Sequence, residues 1–141
     1  YPALIVNDSP APSPSRPTST TRVGMPVAAV LDVVCVLVFA AVGRASHAQD
    51  DPITGAVGTA LPFLLGTAAG WALVRWRSGC WPLTFGTGIP VWCCTLVVGM
   101  LLRVVTGAGT ALTFILVAGA VLAVLLLGWR LAAERLGRRP S

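Results

Sequence analysis

Five acidic residues and a single histidine make up the proton-transferring inventory of this 141-residue chain. Most of it gathers around one stretch, CVLVFAAVGRASHAQDDP (35–52), which begins apolar and ends with Arg44, His47, Asp50 and Asp51. Asp32 lies just upstream, inside the same apolar run. A charged carboxylate at mid-helix costs about 2.5–3.5 kcal/mol on membrane-insertion scales, so it needs a reason to be there. One reason is a proton or cation site. The other, which the residue types favour, is a helix clamp: Asp32 neutral, hydrogen-bonded to Thr95, or paired with Arg75 or Arg130. At 100° per residue Asp32 shares a stripe with Phe39, Gly43 and Ser46, which should face the other helices.

His47 with Asp50 and Asp51 could bind a metal or relay protons. One histidine among loop carboxylates reads more simply as a solvated boundary. A single histidine excludes bis-histidine haem within one chain. Cys35, Cys80, Cys93 and Cys94 show no C-x-x-C or Cys/His zinc spacing and read as small buried hydrophobes. No nucleophile–base constellation, nucleotide loop or metalloprotease motif is present. We therefore expect no catalytic residue, no cofactor and no metal. An outer-face enzyme built on His47 and Asp50 is the remotest reading.

The elements that must position these residues are set by composition. The chain is 55% hydrophobic and 11% charged, with a mean hydropathy of +0.81. Its apolar residues fall into long blocks, the pattern of a polytopic membrane protein rather than a water-soluble core. Spans are expected at about 26–43, 53–74, 89–105 and 110–131, each near the ~20 residues that cross ~30 Å of hydrocarbon. Pro26, Pro52 and Pro90 stand where spans open, and Pro62 should kink the second. Residues 1–22, rich in Pro, Ser and Thr, read as a disordered cytoplasmic tail, and 134–141 as a basic one. The domain between them covers 23–133.

The net charge of +5 is carried by arginines alone. Arg16, Arg22, Arg75, Arg77, Arg130, Arg135, Arg138 and Arg139 fall on one side if four helices cross; Arg44 and Arg103 fall near the other. The positive-inside rule then puts both termini in the cytoplasm. Trp76, Trp81, Trp92 and Trp129 cluster near that same boundary, with Trp71 about a turn deeper. Excess base here means orientation and anionic lipid, not nucleic acid. A rival is a cleavable leader ending at Ser46-His47-Ala48, against which Asp32 and Arg44 both count.

Arg103 lies too far in depth from Asp32 for a direct pair and should snorkel outward, towards Asp50 or Asp51. With Arg44 it could form a positive outer mouth. GTALPFLL (58–65) echoes GTALTFIL (109–116), suggesting a duplicated two-helix hairpin. Gly66 and Gly70 form a G-x-x-x-G, and Gly119 with Ala123 a similar pair, each allowing close approach of another helix.

Taken together, Asp32, Phe39, Gly43-Arg44 and His47 (D-x6-F-x3-G-R-x2-H), then Pro62-Phe63, Arg103 and Trp129-Arg130, resemble a family of small four-helix membrane proteins of actinobacteria and halophilic archaea that carries only a domain of unknown function. The resemblance covers about Pro26 to Arg130. It implies a multi-pass membrane protein and brings no activity or ligand with it. The expectation is an all-α four-helix transmembrane bundle in the lipid bilayer of the cell membrane. Its role would be non-enzymatic, as an accessory subunit with a membrane-protein partner or as a homo-oligomer. The alternative is a small transporter or channel using Asp32 and an Arg44/Arg103 mouth.

Overall fold

The computed structural model describes residues 23–45 and 52–138. The tail expected over 1–22, together with His47, Ala48, Asp50 and Asp51, lies outside the described residues. Four helices form: α1 (Met25–Ala45), α2 (Pro52–Ser78), α3 (Phe85–Val105) and α4 (Leu112–Gly137). Each packs on the next and α4 closes back on α1, and among the described residues the backbones of the diagonal pairs make no close approach. The result is an all-α, up-and-down four-helix bundle, as expected. The start of α1, the 79–84 connection and the end of α4 share one face, called here the termini face. The end of α1, the start of α2 and the 106–111 connection occupy the opposite face.

All four helices are long and apolar enough to cross a membrane: Met25–Gly43, Gly55–Ser78, Phe85–Val105 and Leu112–Gly137. Val30, Leu65, Leu101 and Val124 are among many large apolar side chains on the outside. In water such a surface would be an aggregation patch; in lipid it is the matching solvent.

At the termini face the helices run longer than hydropathy predicts. Helix α3 begins at Phe85, not Ile89, because Thr84 and Thr87 make a reciprocal capping box at its first turn. Pro90 therefore sits inside α3 instead of opening it. Helix α2 continues to Ser78, where Gly79 turns at φ +70° and its N–H bonds the Arg75 carbonyl at 3.0 Å. Helix α4 runs to Gly137, so residues 134–137, expected in a tail, are helical. The two echoing octapeptides also differ locally: Gly58 is well within α2, whereas Gly109 precedes α4 at φ +75°.

Close approach of α2 and α3 explains the G-x-x-x-G. A Cβ on Gly66 would stand 2.8 Å from the Thr95 backbone, and one on Gly70 2.8 Å from Val91 Cα. The motif thus packs helices of this chain. Facing hydroxyls of Thr67 and Thr95 lie 2.9 Å apart in the same seam. Below it, Phe63 covers Gly99 and meets Phe39 edge-on at 4.9 Å. Val36, Met100, Leu122 and Leu126 complete the core. The cysteines correct the sequence reading: Cys80 and Cys93 are exposed, Cys35 and Cys94 half-buried, and all four are free. Val91, Thr95 and Gly99 form the buried stripe of α3, which turns Cys93 to the opposite side.

Candidate functional site

The buried face of α1 is Ala28, Asp32, Val36, Phe39 and Ala40, a helical stripe interrupted by one acid. Gly43 is half-buried, and Ser46 lies outside the described residues. Asp32 lies about 10 Å of helical rise from the start of α1 and is 1% exposed. Its Oδ1 accepts from Trp129 Nε1 and from Arg130 Nη1, both at 2.8 Å. Its Oδ2 accepts from Trp71 Nε1 at 2.8 Å and from Arg130 Nη2 at 2.7 Å. Four donors therefore fill the carboxylate.

The partner is equally occupied. Arg130 is 0% exposed and pairs with Asp32 fork to fork, the strongest geometry for these groups. Nη1 also donates to the Leu126 carbonyl at 2.7 Å, while Nε and Nη2 donate to the Pro82 carbonyl at 3.0 and 2.9 Å. All five guanidinium N–H groups thus have acceptors. Its carbon also lies 4.4 Å from the Trp129 ring centre. Space comes from Gly88 on α3, where a Cβ would stand 2.6 Å from Arg130 Cδ. One helical turn further along α4, Glu134 Oε1 accepts from the Phe85 N–H at 2.8 Å and anchors the start of α3. One cluster thereby ties α1, α2, α4 and the 79–84 connection together, with α3 seated against it.

Chemically this is a closed unit. No lone pair of Asp32 is vacant for a cation, and no N–H of Arg130 is vacant for an anion. In a buried pair, Coulomb attraction and desolvation nearly offset, but removing one partner strands a charge at a cost of about 3–5 kcal/mol.

Sequence reasoning named Arg130 among three candidate partners, and the structure selects it. Thr95 instead faces Thr67, and Arg75 turns outward over Trp81, its guanidinium 5.0 Å from the ring centre, with Nη1 donating to the Gly79 carbonyl. Arg130 lies towards the termini face but is buried there. The tryptophans have partners that the sequence reading did not give them. Trp71 and Trp129 are ligands of Asp32, and Trp92 donates to the Gly119 carbonyl at 3.0 Å. Only Trp76 and Trp81 are exposed. Gly88, Glu134 and the Pro82 carbonyl were missed. A depth count would have helped: Asp32, Trp71 and Arg130 each lie about seven residues from the termini-face end of their helix.

The opposite face holds the other expected basic residues. Arg44 occupies the last turn of α1. Arg103 stacks on Phe114, its guanidinium 4.5 Å from the ring centre. Its Nη2 reaches the Ala108 and Gly109 carbonyls only at 3.4 Å, and Nε is buried without an acceptor. Among the described residues no carboxylate meets Arg103; the partners expected for it, Asp50 and Asp51, lie outside them. Among the described residues, no three of His, Cys, Asp and Glu converge as a metal cluster would.

A family model described as a protein of unknown function (DUF3054) matches residues 29–133, which includes Asp32, Trp71, Arg103 and Arg130. No curated protein and no solved structure matches the chain.

Proposed function

The chain belongs to the DUF3054 family, and we propose that it serves as a non-enzymatic, multi-pass accessory subunit that packs against a larger membrane assembly or a second copy of itself. The observation that carries this reading is the saturation of the Asp32–Arg130 cluster. Asp32, buried inside the first span, holds helices together and leaves no acceptor for chemistry. Short connections at 79–84 and 106–111 add no platform outside the bilayer between these helices. Both termini lie in the cytoplasm on this reading, with Arg75, Arg77, Arg135 and Arg138 at the anionic inner leaflet.

The transporter reading needs Asp32 to load and release a cation or proton. Four donors within 2.8 Å argue against such a cycle, because each turn would break a buried ion pair. Deleting the gene and measuring the abundance of proteins that co-purify with the tagged chain tests the proposal. A genuine partner loses abundance on deletion and regains it on complementation. A chain recovered alone and monomeric, with no membrane protein responding to its loss, contradicts the proposal.

A further inference from the structure

Between α1 and α4, towards the opposite face, lies a cleft of about 630 Å³, within the roughly 300–1,000 Å³ typical of ligand sites. Its lining is polar at one end and apolar along its length. At the mouth stand Arg103, the carbonyls of the 106–111 connection and Thr113; deeper come Phe39, Phe114 and Val121. From Thr113 to Val121 the α4 wall spans about 12 Å of helical rise. This is the outline of an amphiphile: a charged head at the rim and a chain reaching into hydrocarbon.

The charge is also one-sided. Among the described residues, Arg103 is the only charged one in the lining. No acceptor among the described residues reaches its Nη1, and Nη2 has only the two long carbonyl contacts. A guanidinium with donors to spare is suited to a phosphate oxygen pair. Gly43 opens the α1 wall: a Cβ placed there meets nothing within 4 Å. In a bilayer, a cleft between spanning helices would be bathed by lipid chains, which makes a lipid its natural occupant.

We propose that the α1–α4 cleft binds one anionic phospholipid, its phosphate on Arg103 and an acyl chain along Phe39, Phe114 and Val121. The inference does not depend on the accessory role.

Native mass spectrometry of the purified full chain, titrated with phosphatidylglycerol and phosphatidylcholine of matched chains, tests it. The intact protein should retain the anionic lipid about tenfold more strongly, the worth of one charge-assisted hydrogen-bonded pair. Arg103→Gln should erase that preference, and Arg103→Lys should keep part of it. Gly43→Phe should lower occupancy by filling the cleft while leaving Arg103 in place, which keeps the test decisive if Arg103→Gln fails to fold. Inorganic phosphate should not compete at concentrations that saturate the lipid. Equal retention of both lipids, a preference that survives both Arg103→Gln and Gly43→Phe, or displacement by phosphate alone would overturn the proposal.

Discussion

Two arginines placed in apolar helices meet opposite fates. Arg130, near the termini face, is fully buried and has an acceptor for every N–H, with Asp32 taking two of them. Arg103, near the opposite face, rests on an aromatic ring with its Nε unpaired and a cleft beside it. The contrast teaches how to read charge in a membrane protein. A charge whose bonds are all satisfied internally is part of the scaffold. One with bonding capacity left over, beside open space, is where something else can bind.

That contrast orders the expected effects of mutation. The largest belongs to the clamp: Asp32→Ala or Arg130→Ala alone strands a buried charge and should destabilise the bundle by about 3–5 kcal/mol, read as reversible unfolding in mixed micelles. Gly88→Ala comes next. The added methyl group would collide with Arg130 Cδ, and forcing the side chain aside should cost about 1–3 kcal/mol. Glu134→Ala removes the acceptor at the start of α3 and should cost about 0.5–2 kcal/mol, with faster amide exchange at Phe85. Arg103→Gln should be mildest, below about 1 kcal/mol, since little of its bonding supports the fold. If Arg103→Gln destabilised the chain as much as Arg130→Ala, the distinction between the two ends would fail.

Much of the architecture was legible from sequence because lipid imposes a blunt rule. Four long apolar blocks must be helices, and Gly66 with Gly70 must sit where backbones approach. Asp32 announced itself for the same reason, as a charge where charges are costly. Its surroundings were harder to read. Trp71 and Trp129 look like interfacial anchors in sequence, since an indole at the membrane boundary and one donating to a buried acid have the same spacing from a helix end. Gly88 carries no signal until Arg130 is known to lie against it. The start of α3 was misplaced because Thr84 and Thr87 act through reciprocal hydrogen bonds, which hydropathy does not register. The cleft at Arg103 depends on how α1 and α4 splay, which no local pattern encodes.

The central claim is that Asp32 and Arg130 serve each other as structure. A double-mutant cycle with Asp32→Leu and Arg130→Met measures it. Each single substitution should be strongly destabilising, while the double variant, which strands no charge although Trp71 and Trp129 lose their acceptor, should be less unstable than the sum of the two single losses by about 1–3 kcal/mol. A double variant as unstable as the sum of the two single losses would mean that the residues act independently, and the clamp would be contradicted.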